Sequence, residues 1–171
     1  MNTEIRRVFC ATDLSGNCNH VYSAAVDLAS ERDAGLMVVH VVSQRSIQRA
    51  KALAYFLNKS PKDVLREKTW STLQLMKEQL SSFLKTESKK HPEYANIVKR
   101  MLVYPGKVAE EIVEKADRLG CEAIVLGSHG NGFLRRFFSS DTTKSVLRRT
   151  SKPVFLVSVE KGEVNITEYN N

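Results

Sequence analysis

Residues 122–150 read EAIVLGSHGNGFLRRFFSSDTTKSVLRRT. Gly127, Gly130 and Gly132 follow the short apolar run Ala123–Leu126. From Thr142 the chain reads as a helix, with Val146 and Leu147 apolar and Arg148 and Arg149 near its end. Glycines let backbone approach a ligand closely, and a helix start offers free N–H groups and the positive end of a dipole. Together they can seat a phosphate. The same glycines can equally serve a plain strand-to-helix connection that needs positive φ. On the loop alone both readings stand. Asp13, after the apolar run Arg7–Ala11, is a second candidate, either a ligand contact or the Asx turn that ends a strand. Asp141 is a third, either a group near a bound phosphate or metal or an ordinary acid in a first helical turn. His129 has no nucleophile with a paired acid beside it and reads as a loop histidine. His40, inside an apolar run, reads as a hydrogen-bonded core residue.

The elements that must position these groups alternate. Arg7–Ala11, Leu36–Val42, Asn96–Tyr104, Ala123–Leu126 and Val154–Val159 are strand candidates. Val21, Ala24, Ala25, Leu28 and Ala29 recur on one helical face, with Asn17 or Asn19 as N-cap and Gly35 as C-cap. Ile47, Ala50, Leu53, Ala54 and Leu57 mark a second, short helix over Ser46–Asn58. Ser60, Pro61 and Asp63 start a long third one with a stripe of Leu73, Met76, Leu80, Phe83 and Leu84, and Trp70 at its margin. Pro105-Gly106 should break the third strand. Val108, Ile112, Val113, Ala116 and Leu119 form the next helix, with Gly120 just past its end. Five strands alternating with helices predict an α/β fold, a doubly wound parallel sheet covered on both faces. The first turn is Asp-x-Ser-Gly and carries no GxGxxG, which argues against an NAD enzyme.

Composition narrows the class. With 171 residues, 42% hydrophobic and 26% charged, the chain is long enough for one packed domain. The division expected is a domain over 1–160 and a polar tail over 161–171. No apolar run nears the roughly 20 residues that cross a bilayer, so no membrane partner is expected. The start MNTEIRRVFCATD lacks a signal-peptide pattern, and a cytoplasmic location is expected. Cys10, Cys18 and Cys121 have no metal spacing and fit a reducing compartment. The net charge is +7, and Gln44–Tyr104 alone holds 13 basic against 5 acidic residues. That excess reads as a solvated helix face. Nucleic acid is not expected, because no platform of aromatic and basic residues accompanies it.

Three stretches then resemble the universal stress protein family: RVFCATDLS with AAVDLASERDAGLMVVHVV, YPGKVAEEIVEKADRLGCEAIVLGSHG, and SVLRRTSKPVFLVSV. The resemblance is loosest over Gln44–Pro92. It implies a three-layer Rossmann- or flavodoxin-like domain with strand order 3-2-1-4-5, and a homodimer through the last strand, Val154–Val159. One branch of the family binds ATP or AMP with the loop pattern G-x2-G-x9-G-[Ser/Thr]. By that match Asp13 lies near adenine and ribose, and Val41 reads the adenine edge with its backbone. Gly127 and Gly130 are the first two glycines, with Ser128 and His129 between them. The implied nucleotide set is Ala11, Thr12, Asp13, Val41, Leu126, Gly127, His129, Gly130, Ser140, Asp141, Thr142 and Thr143. Mg or Mn enters only with a triphosphate.

The chain departs from the pattern at Ser140-Asp141, where Gly-Ser/Thr is called for. A carboxylate about 4 Å from a phosphate charge costs roughly 1 kcal/mol in water and about 4 kcal/mol at an effective dielectric near 20. Arg135, Arg136 and Lys144, or a bridging divalent cation, would offset it. The expectation is a stress-response sensor or partner module that holds triphosphate weakly, with AMP-like binding and an empty site both open. The alternative is a slow metal-dependent nucleotide hydrolase. An unpaired Val154–Val159 run would leave an apolar edge, which dimerisation or the Glu160–Asn171 tail would cover.

Overall fold

The alternation of side chains along the central strand sets the layers. β1 (Arg7–Thr12) sends Val8 and Cys10 to one face and Phe9 and Ala11 to the other, and all four are buried. The structure is a computed structural model and describes residues 4–13, 18–87, 89, 92, 96–127, 140–160 and 163–170. The elements follow in the order α1 (Cys18–Glu31), β2 (Gly35–Ser43), α2 (Gln44–Phe56), α3 (Pro61–Glu87), β3 (Val98–Gly106) and α4 (Val108–Arg118). Then come β4 (Ala123–Gly127), α5 (Ser140–Arg149), β5 (Val154–Glu160) and β6 (Glu163–Tyr169). One sheet runs β3-β2-β1-β4-β5-β6, parallel except for β6. The α/β architecture is as the residue pattern predicts and the 3-2-1-4-5 order is as the family resemblance implies, with a sixth strand added.

On one face, Val8, Val38 and Val125 pack against Tyr22, Ala25 and Val26 of α1 and against Met76 of α3. On the other, Phe9, Val39, Ile124 and Leu126 pack against Ile112 and Ala116 of α4 and Val146 of α5. Such side chains each contribute roughly 1.5–3 kcal/mol relative to exposure.

Several boundaries differ from the sequence reading. Gly35 does not cap α1 but opens β2. Asp33 takes the left-handed position at φ 50° instead, with Ala34 N donating to Ala29 O at 2.8 Å. Gly120 does cap α4 as expected, at φ 62°, where Cys121 N donates to Ala116 O at 2.9 Å. Asn19 lies inside α1 and does not cap it, and Asn17 is outside the described residues. α2 starts earlier than Ser46, because Ser43 caps it by accepting from Ser46 N. β3 runs through Pro105 and Gly106, which pair with Val42 and Ser43. It is an edge strand, and a proline near its end costs no ladder bond on the outer side.

The second helix buries less than its pattern predicts. Ala50 and Ala54 meet Val64 in a small cluster of their own, while Leu53 and Leu57 stay exposed. α2 rests chiefly on α3, so only a narrow alanine strip is covered. In α3, Met76 is buried and Leu73 half-buried, whereas the side chains of Leu80, Phe83 and Leu84 lie outside the described residues.

β6 pairs antiparallel along all of β5, from Val154↔Tyr169 to Glu160↔Glu163. Only Lys161 and Gly162 separate the two strands, a spacing suited to a tight hairpin. The outer edge of β5, the one predicted to meet a second copy, is therefore taken by the chain's own tail.

Ile124 has no solvent exposure at the centre of the sheet. Ile124→Ala is expected to lower unfolding stability by about 2–5 kcal/mol, read as a reduced urea midpoint with an unchanged slope.

Candidate functional site

β2 outruns β1. The β1–β2 ladder ends at Thr12↔His40, but β2 stays paired with β3 as far as Ser43↔Gly106. The backbone of Val41–Ser43 on the β1 side thus extends past the last β1 pair, at the carboxyl end of the sheet. Ligands of open α/β sheets bind at such places. A crevice opens there, lined by Ala11, Thr12 and Asp13 of the β1 end, His40 and Val41 of β2, and Val108 and Ile112 of α4. Its floor is apolar, since Ala11, Val41 and Ile112 belong to the core face beneath α4. Its rim is polar, with buried Thr12 and half-buried Asp13. An apolar floor with a polar rim is the kind of lining that small-molecule sites have.

The ladder fixes one more polar group. His40 Nδ1 lies 2.8 Å from Thr12 O. A carbonyl only accepts, so Nδ1 carries the proton and Nε2 is the acceptor in the neutral ring. Burial pushes the His40 pKa below its ordinary 6.5, against the opposing pull of the Thr12 carbonyl and the Asp13 carboxylate. The ring is thus held neutral beside Asp13. This bears out a hydrogen-bonded histidine, but the bond also ties β2 to the residue that carries Asp13.

Leu126 and Gly127 end β4 next door, with Leu126 paired to Ala11 and Gly127 to Val157. A Cβ on Gly127 would stand 3.0 Å from Val21 Cγ2, so α1 leaves little room for a larger residue. Ser140–Thr143 form the first turn of α5, which begins two residues before the expected Thr142. Asp141 is exposed in that turn, and Thr142 and Thr143 are half-buried. An acid there complements the helix dipole, which accounts for the earlier start. Among the described residues, Ser140–Thr143 are not part of the crevice lining. His129 and Gly130, with Ser128, lie outside the described residues.

The crevice also contains residues that the sequence reading did not assign. Val108 and Ile112 were read only as a core face. Their signal was positional: Val108 opens α4 directly after β3, at the same end of the sheet as Asp13.

The cysteines take no part. All three are buried, Cys18 included, and burial raises each thiol, that of Cys121 to about 11. Among the described residues, no three His, Cys, Asp or Glu side chains gather as a metal site.

A mostly parallel α/β sheet with a crevice beyond the carboxyl ends of β1 and β2 defines a Rossmann-like domain. The profile of the universal stress protein family matches residues 4–158, and the chain belongs to that family. It is 22% identical over 162 residues to universal stress protein MJ0577 of Methanocaldococcus jannaschii, covering 92% of this chain and 97% of the relative. It is 23% identical over 135 residues to universal stress protein A homolog 1 of Coxiella burnetii, covering 79% and 84%. The solved MJ0577 structure superposes with a TM-score of 0.64 at 20% identity, covering 92% of this chain and 99% of that one. UspA from Lactobacillus plantarum gives 0.63 at 17% identity, covering 91% and 99%.

The His40 geometry has a pH consequence. With its folded pKa below the unfolded 6.5, the unfolded chain binds more protons through this window. The contribution is therefore whole above about pH 6.5 and is lost as pH falls below it. Stability measured by urea titration should decline from pH 7 to pH 5, and His40→Asn should remove part of that slope.

Proposed function

We propose that this protein is a nucleotide-responsive stress-response module whose crevice takes an adenine nucleotide and holds AMP better than ATP. The observation that carries the reading is the stagger of β1 against β2. It opens the Val41 backbone and the Asp13 carboxylate onto one apolar-floored crevice. Adenine would lie on Ala11, Val41 and Ile112, its edge read by the Val41 backbone. Asp13 would accept from a ribose hydroxyl. The phosphates would run past Gly127 toward the start of α5, where Ser140–Thr143 offer backbone N–H groups. A universal stress protein with a TM-score of 0.55 to this chain, at 16% identity and covering 91% of it and 98% of itself, was solved in complex with cAMP. That relative supports an adenine monophosphate as the ligand class.

Asp141 is what sets the preference for the shorter ligand. It already supplies a negative charge to the first turn of α5. A terminal phosphate arriving there meets a like charge as well as the dipole.

Mass spectrometry of small molecules released from freshly purified protein tests whether the crevice is filled. In calorimetry, Asp13→Ala should weaken AMP about tenfold or more, the loss of a hydrogen bond to a charged group. Ser140→Gly with Asp141→Ser should strengthen ATP about fivefold, corresponding to about 1 kcal/mol of relieved repulsion. Unchanged ATP affinity in that variant would refute the role given to Asp141. Phosphate release with and without Mg²⁺ or Mn²⁺ distinguishes a hydrolase from a binding module.

The homodimer is proposed through β6, not β5. β6 carries exposed Val164, Ile166 and Tyr169 and contains no proline or lysine, its charges being Glu163 and Glu168 near its two ends. Val164→Lys with Ile166→Lys should convert a dimer to a monomer in light scattering, and an unaltered mass would overturn this.

A further inference from the structure

The α2–α3 hairpin ends in a tip that the nucleotide crevice does not use. Tyr55 and Phe56 are 86% and 83% exposed, and Leu53 and Leu57 beside them are 49% and 53% exposed. The two rings meet edge to face, with centroids 6.0 Å apart. Backbone bonds hold the tip in shape. Asn58 adopts φ 50°, Lys59 N donates to Ala54 O at 3.0 Å, and Val64 N donates to Ser60 O at 3.1 Å. Four large apolar side chains are thus presented to solvent by an ordered cap.

The charge around them is mostly basic, although Lys59 Nζ pairs with Glu67 Oε1 of α3 at 3.3 Å and exposed Asp63 stands in the first turn of α3. From Gln44 to Lys62 there are five basic residues, Arg45, Arg49, Lys51, Lys59 and Lys62, and no acidic one. All five are exposed. Lys51 and Tyr55, like Arg49 and Leu53, are one helical turn apart, so cations and apolar groups share the same surface. The first acid is Asp63, inside α3.

We propose that this tip docks the protein on an anionic lipid surface, with Tyr55, Phe56 and Leu57 entering the headgroup boundary and the lysines facing lipid phosphates. A basic helix with aromatic and leucine side chains on its apolar part is the pattern that binds a bilayer in its plane. A protein partner fits less well. The tip is about ten residues long, whereas a stable interface takes about 20–30 residues a side. A nucleic acid would stack on the rings but would gain nothing from Leu53 and Leu57, which have no stacking face. The expectation of no membrane partner rested on the lack of a spanning run. That criterion does not bear on surface docking, which depends on exposed rings beside cations.

The sequence contains a single tryptophan, Trp70, which lies on α3 in the same hairpin and is 59% exposed. It is an internal reporter. The full chain would be mixed with phosphatidylcholine vesicles made with and without phosphatidylserine. Flotation and Trp70 emission would be read at about 0.01 M and about 1 M salt, where screening lengths are roughly 30 Å and 3 Å. The expected result is flotation and a blue shift only with phosphatidylserine and only at low salt. Lys51→Gln with Lys62→Gln should weaken partitioning about thirtyfold, taking about 1 kcal/mol per charge near the surface. Tyr55→Ser with Phe56→Ser should weaken it at least about tenfold. Because these side chains are exposed, the variants should keep the wild-type melting temperature and AMP affinity, which separates this result from the nucleotide reading. No flotation at low salt, equal flotation of the serine variant, or retention by single-stranded RNA without vesicle binding would each overturn the proposal.

Discussion

Strand β1 is buried on both faces and hydrogen-bonded on both edges, and the rest of the molecule is placed by that constraint. Its neighbours must be strands. Its two rows of side chains must each meet a helix layer, α1 on one side and α4 with α5 on the other. A strand so enclosed can present polar groups only where it ends. Thr12 and Asp13 stand at that end, and β2 continues beyond them. The crevice is the result of two adjacent parallel strands stopping at different heights.

Electrostatics at this end of the sheet are arranged around few charges. Asp13 sits over an apolar floor, and burial keeps the neighbouring imidazole neutral against the opposing pull of the Thr12 carbonyl and of the Asp13 carboxylate. Asp141 belongs to the same end of the molecule but to another element. It is an exposed acid in the first turn of α5, where the helix dipole favours a negative charge.

Much of this was legible in the residues, and the failures have physical causes. Strands buried on both faces, such as Leu36–Val42, announce themselves by continuous β-branched apolarity, whereas their order came from the family resemblance. Asp13 could be singled out because it follows an apolar run, but an Asx turn explained it equally well until the family resemblance favoured a ligand contact, and the structure places it on the crevice lining. Helix ends were less legible. Asp33 took the left-handed cap position that a nearby glycine suggested for itself, because caps depend on which residue reaches the geometry first. The α2 pattern implied a wide buried face. Periodicity cannot say how much partner surface is available, and α3 supplies only enough for Ala50, Ala54 and Val64. The exposed rings at the hairpin tip were therefore hidden in an ordinary amphipathic pattern. The tail was read as one of two ways to cover the Val154–Val159 edge, and only its pairing with β5 shows that it forms β6.

The three enclosed thiols have a practical meaning for studying motion in this chain. Cys10 and Cys18 lie in the layer on the α1 side of the sheet, and Cys121 in the layer on the α4 side. A thiol reagent added to the native protein has to wait for one layer or the other to part. The modification rate at each cysteine, resolved by peptide mass, would clock the opening of the two sides separately. Comparing those clocks with the crevice filled and vacant would reveal whether a ligand tightens the whole sandwich or only the half against which it lies.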